Sequence, residues 1–236
     1  MKFGVVTFPG SNGDYDSYTA AKFALGEETT FLWHKSSSLE GCDVIILPGG
    51  FSYGDYLRSG SIARFSPIMK AVIEFAHSGG IVIGFCNGFQ VLVESGLLPG
   101  ALMRNSHLRF RHRYIYLKVE DYSTPFTNSC PPGKTLKIPI AHGDGNYYNF
   151  QSEIDELEKN GQIVFRYAEQ DGTISKESNP NGSLQNIAGI CNIEGNVLGM
   201  MPHPERAAEK ILNSDDGLYI FKSMAAHFEK EPVKSG

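Results

Sequence analysis

Four short apolar runs mark the first third of the chain: FGVVTF at 3–8, TTFLWH at 29–34, DVIILP at 43–48 and IVIGF at 81–85. Their β-branched and aromatic content, and the Gly, Pro, Asp and Ser residues around them, give the pattern of strands. Between them the apolar spacing changes. Residues 14–25 read as a helix, and so do residues 62–77, where Ile62, Phe65, Met69, Val72, Ile73 and Ala76 recur three or four positions apart. Strands alternating with helices predict a parallel sheet covered on both faces, because a parallel crossover needs a long connection.

The later pattern differs. HRYIYLKVE (112–120) and TLKIPIAH (135–142) read as strands, and IAGICN and VLGMM flank Glu194-Gly195-Asn196 as a hairpin. Residues 151–160 and 215–228 read as helices. The predicted fold is α/β: a doubly wound, mostly parallel open sheet with helices on both faces and additional antiparallel strands. No repeat or linker divides the chain, so a single domain over 1–236 is expected, with a frayed tail from about 229.

Composition narrows the function. With 236 residues, 41% of them hydrophobic, the chain can bury a sizeable core without staples. A dispersed net charge of −5 offers no basic field for nucleic acid. No apolar stretch reaches membrane-spanning length, and the start of the chain lacks the pattern of a signal peptide. A cytoplasmic protein that binds neither nucleic acid nor membrane is expected. Cys42, Cys86, Cys130 and Cys191 show no CxxC spacing, which fits a reducing compartment. No His/Cys/carboxylate set has zinc spacing, and Gly10-Ser11-Asn12-Gly13 is not a P-loop, so no metal or nucleotide site is expected on this chain.

One cysteine stands apart. In GFCNGFQ (84–90), Cys86 follows an apolar strand and has a glycine two positions away on each side. A strand entering a helix through a very tight turn crowds those two neighbours, and glycines relieve the crowding; this is the logic of the nucleophile elbow. The thiol there faces a helix N-terminus, which favours a thiolate, and the Asn87 amide points where a carbonyl oxygen becomes negative after attack. LPGGFSYGD (47–55) supplies a second donor loop through Gly49 and Gly50. In MMPHPER, His203 lies between two prolines with Glu205 two places on; in extended backbone their side chains share a side, so the carboxylate can orient the ring. AHGDGNYY (141–148) carries His142 and Asp144 as rivals for the base. Arg104, Arg109, Arg111 and Arg113 read as a solvated strand face or a subunit interface.

Together PGGFSYGD, GFCNGFQ, AHGDG and PHPE, in that order, resemble the class I (triad-type) glutamine amidotransferases. Within that class, residues 51–60 (FSYGDYLRSG), the asparagine after the cysteine and RNSHLRF resemble the family of glutaminase subunits of phosphoribosylformylglycinamidine synthase. The resemblance spans nearly the whole chain. It implies that Cys86 attacks the side-chain amide of L-glutamine, His203 shuttles protons and Glu205 orients the histidine. It also implies an oxyanion hole from the Gly50 and Asn87 amides, and glutamine held by Phe51, Gln90 and the backbone at His142 and Gly143. The family passes ammonia to a separate synthetase subunit that uses ATP and magnesium, with a small third subunit in the complex, and this chain itself carries no cofactor. A stand-alone cysteine-elbow γ-glutamyl hydrolase or peptidase-like protein of the same fold is the alternative. A redox-sensing module is a third reading, against which the spacing of His203 and Glu205 counts.

Overall fold

The computed structural model describes residues 1–230. In chain order its strands are β1 (Lys2–Thr7), β2 (Glu28–Trp33), β3 (Val44–Leu47), β4 (Ile81–Phe85), β5 (Ala101–Met103), β6 (Arg111–Val119), β7 (Leu136–His142), β8 (Asn146–Tyr148), β9 (Ile163–Ala168), β10 (Ile187–Cys191) and β11 (Val197–Met200). The α-helices are α1 (Asp14–Thr19), α2 (Pro67–His77), α3 (Asn87–Glu94), α4 (Gln151–Lys159) and α5 (Leu218–Lys230).

Nine strands form one sheet in the order β2-β1-β3-β4-β11-β10-β9-β6-β7. From β2 to β11 all pairs are parallel, and from β11 to β7 all are antiparallel. The expected combination of a doubly wound half with added antiparallel strands is therefore one continuous surface. Alternation along the inner strands sorts side chains into two cores. Val44 and Ile46 of β3 and Ile81, Ile83 and Phe85 of β4 join Phe221 and Met224 of α5 on one face. Ile45, Leu47 and Val82 join Met69 and Val72 of α2 and Phe89 and Leu92 of α3 on the other. Each fully buried side chain of this size contributes roughly 1.5–3 kcal/mol.

Several boundaries differ from the periodicity reading. The 62–77 helix is split: Ser66 is extended (φ −61°, ψ 141°) and α2 begins at Pro67, because a proline drives its predecessor out of the helical region. The 14–25 helix runs as α1 and then as a π-helical turn over Ala20–Leu25, stopped by Gly26 at φ 93°. α5 starts at Leu218 rather than 215, since the Asp216 carboxylate accepts the Lys137 amide at 2.8 Å and pairs with Lys134. The expected tail lies, beyond residue 230, outside the described residues. β9 is absent from the sequence reading: it is buried on both faces, so it does not alternate, and Arg166 interrupts its apolar run. That arginine pairs with Glu158 at 2.5 Å and Glu120 at 3.3 Å. Among the described residues, no helix is long and apolar enough to cross a membrane.

Candidate active site

β4 and β11 are neighbours, in register from Val82↔Val197 to Phe85↔Met200, and the Cys86 amide donates to the Met200 carbonyl at 2.8 Å. The segments that follow these two strands, one bearing Cys86 and the other His203, therefore leave the sheet side by side.

Cys86 occupies φ 50°, ψ −105° between β4 and α3. The flanking glycines answer to specific contacts. A Cβ on Gly84 would lie 2.6 Å from the Gly88 carbonyl carbon, and one on Gly88 would lie 2.0 Å from the Leu47 oxygen. On β11, beside Gly84 in register, Gly199 would meet the Phe89 ring at 2.0 Å. α3 thus rests on a glycine saddle spanning two strands, and its first amides, without intrahelical acceptors, point to the Cys86 end of the sheet.

His203 and Glu205 are 1% and 2% exposed, with His203 Nδ1 and Glu205 Oε1 at 2.6 Å. The local backbone differs from the extended stretch expected: His203 sits at φ −108°, ψ 83°, and Pro204–Ala207 form a 3-10 turn. The helical turn brings the carboxylate to the ring just as the extended geometry would have. Added at Gly49, a Cβ would lie 2.7 Å from His203 Cε1 and 3.5 Å from Cys86 Cβ, so imidazole and thiol meet over that glycine. Burial pulls the imidazole down, but Glu205 and the Cys86 sulfur outweigh it and raise the ring to about 10. Carrying a proton at neutral pH, it is equipped to give one to a leaving nitrogen.

The rival histidine is of another kind. Asn105 Nδ2 donates to the Arg109 and His142 carbonyls, both at 2.9 Å, so its Oδ1 must face Gly145 N (3.0 Å) and His142 Nδ1 (3.1 Å). His142 therefore bears its hydrogen on Nδ1 and presents a bare Nε2. Burial, with a smaller contribution from His203, lowers it to about 3, and no carboxylate orients it. It stays neutral. Burial likewise pushes Cys42 and Cys191 up to about 11 and Cys130 up to about 12, in keeping with small core residues.

A cavity of about 220 Å³ joins these parts, lined by Gly50, Phe51, Cys86, Gln90, His142, Gly143 and His203 among others. Seven of the nine residues to which the resemblance assigns a role line it, and so does Asp144, the other rival for the base. Asn87 and Glu205 do not: Asn87 adjoins Cys86 through its backbone and turns its side chain to the Ser52 amide (3.0 Å), and Glu205 acts behind His203. Gln90 is already engaged, accepting from Asn87 Nδ2 at 2.8 Å and donating to the Asp144 carbonyl at 2.6 Å. It braces two loops together. Gly50, at φ 142°, has an amide with no acceptor among the described residues and lies open to the cavity.

Sequence reasoning missed residues 9–13. This loop grips the 49–50 peptide: Asn12 and Gly13 donate to the Gly49 carbonyl at 3.2 and 3.0 Å, and Phe51 donates to Gly10 O at 2.9 Å. Gly10 (φ 87°) and Gly13 admit that approach, and they were the available signal. Also missed were Asp55, Ser59 and Arg206, which line the cavity. A larger cavity of about 420 Å³, bordered by Asp121, Asn192 and Glu194, opens at the opposite end of β4 and contains none of this chemistry.

The sequence profile of the CobB/CobQ-like glutamine amidotransferase domain matches residues 1–225, and the chain belongs to that family. At 57% identity it is similar to phosphoribosylformylglycinamidine synthase subunit PurQ of Moorella thermoacetica, over 98% of both chains. The protein of the same name from Gloeobacter violaceus is also 57% identical, over 96% of this chain and 97% of the other. Among solved structures, PurLQS from Thermotoga maritima superposes with a TM-score of 0.85 at 40% identity, covering 96% of this chain and 98% of its counterpart. The glutaminase domain of CTPS from Trypanosoma brucei, at 18% identity and a TM-score of 0.61 over 99% of this chain and 96% of the other, shares the fold.

Proposed function

We infer that this chain is the glutaminase subunit of phosphoribosylformylglycinamidine synthase. It releases ammonia from L-glutamine for a synthetase partner in de novo purine biosynthesis, a small third subunit completing the complex. The observation that carries the site assignment is Cys86, on a strained elbow, lining the same cavity as His203, which is paired with buried Glu205.

The Cys86 sulfur, its proton having passed to His203, forms a bond to the δ-carbon of glutamine, and the carbonyl electrons move to an oxygen held by the Gly50 and Asn87 amides. As that oxyanion collapses, the C–N bond breaks and the His203 proton goes to the departing nitrogen, which leaves as ammonia. Water then attacks the γ-glutamyl thioester, gives a proton to His203, and releases glutamate and the free enzyme. Glu205 holds the ring and stabilises its charged form. Phe51, His142 and Gly143 border the amino-acid end of the cavity. These steps use side chains and backbone amides alone, while ATP and magnesium serve the synthetase, which converts formylglycinamide ribonucleotide to formylglycinamidine ribonucleotide. The complex works in the cytoplasm.

Exchanging Cys86→Ala in the assembled complex tests this. Glutamine-dependent synthesis is expected to disappear while synthesis from added ammonia stays at the wild-type rate. Retained glutamine-dependent synthesis would remove Cys86 from the chemistry.

A further inference from the structure

Arg206 directly follows the His203-Pro204-Glu205 segment, and its side chain reaches three separate parts of the site. Its Nε lies 2.9 Å from Asp16 Oδ2 on α1 and 3.8 Å from Glu205 Oε1. Its second terminal nitrogen donates to Asn12 Oδ1 at 3.3 Å. Asn12, through its amide, holds the Gly49 carbonyl at 3.2 Å and so fixes the 49–50 peptide, and Gly50 lines the same cavity as Cys86. One guanidinium thus spans the acid that orients the imidazole and the loop that braces the oxyanion donor.

The electrostatics call for such a neighbour. Glu205 is buried, and its Oε2 has no hydrogen-bond partner. A buried acid with one ring donor is better accommodated with a further positive charge nearby. The charged and titratable groups around it are His203 on its own turn, Arg206, Asp16 from α1 and Cys86 from the elbow, with neutral His142 of β7 acting on His203. Arg206 is the permanent cation in that set. Hydrogen bonds from two different nitrogens, Nε to Asp16 and a terminal nitrogen to Asn12, require a planar fork, which a lysine lacks.

We propose that Arg206 is a positioning residue of the glutaminase step, placing a fixed positive charge beside the buried Glu205 side chain and setting the 49–50 peptide through Asn12. This rests on the assignment of Cys86, His203 and Glu205 given above. Arg206 acts through other groups, so its removal changes turnover and the pH profile more than substrate affinity.

The test uses the assembled complex with glutamine as substrate. Arg206→Met is expected to lower kcat about tenfold or more, as small misplacements in an active site do, with KM within about twofold of wild type. It also moves the acid limb of kcat to higher pH, because a fixed positive charge is removed from the site. Arg206→Lys returns the acid limb towards the wild-type position but only part of kcat. Asp16→Asn, which leaves Arg206 less neutralised, moves the acid limb to lower pH and serves if Arg206→Met fails to fold. Opposite shifts are the signature, since a merely structural contact would not produce them. Wild-type kcat in Arg206→Met, reduced kcat with an unmoved pH profile, or same-direction shifts in the Arg206 and Asp16 variants would overturn the proposal. Ammonia-dependent synthesis reports that the complex is intact. Labelling by a glutamine-like electrophile separates the two readings: modification away from Cys86 would sink the site assignment itself, whereas Cys86 labelling with wild-type Arg206→Met kinetics sinks only the role of Arg206.

Discussion

Cys86 adopts a backbone conformation, φ 50° and ψ −105°, that residues with a Cβ rarely occupy, and such strain costs on the order of 1–3 kcal/mol. Glycine takes it without penalty, at the expense of some entropy in the unfolded chain. Cys86→Gly is therefore expected to abolish glutaminase activity while raising Tm, by about 2–4 °C for each kcal/mol of strain relieved. A Tm at or below that of wild type in thermal unfolding would mean the elbow stores no strain. The His203–Glu205 pair has its own dependence on pH. Against a downward pull from burial, Glu205 and Cys86 raise the imidazole from 6.5 to about 10 on folding. Its contribution to stability is full below 6.5 and is lost as pH rises through about 10. The Tm difference between wild type and Glu205→Gln should therefore be widest below pH 6.5 and narrow toward pH 10. A gap that stays constant, or widens, would count against the pairing.

At the scale of elements, the decisive contact is between α3 and the strands beneath it. Gly84, Gly88 and Gly199 leave no room for a methyl group, and at Gly88 the obstacle is the Leu47 backbone oxygen, which cannot rotate aside. Gly88→Ala is expected to destabilise the fold by roughly 1–3 kcal/mol, the ordinary range for overpacking, and to shift the start of α3 away from the thiol. Chemical denaturation and glutamine turnover should fall together; unchanged stability would show that α3 packs less closely than these distances require. The glycines around Cys86 were legible in the sequence because their effect is local. The backbone of Pro204–Ala207 was not, since a short 3-10 turn and an extended dipeptide can both bring residue 205 to residue 203.

Across the whole molecule, what the sequence revealed follows the range of the forces involved. Apolar runs and helical spacing disclosed the parallel half, where each strand and each crossover helix carries its own local pattern. β9 escaped notice because its two-sided burial and its ion-paired Arg166 depend on α4 and on the end of β6. The grip of residues 9–13 on Gly49 was hidden for the same reason: hydrogen bonds between loops some 40 residues apart leave no periodic trace. Cys86 and His203 were recognisable one at a time, but their meeting over Gly49 depends on β11 lying beside β4. That adjacency has a temporal consequence. With Cys86 and His203 in the roles proposed above, a growing polypeptide would expose its thiol more than a hundred residues before the imidazole emerges, and would split no glutamine in that interval. On that assignment activity would await completion of the enzyme's own sheet, and unfinished copies would waste none of the cell's amide nitrogen.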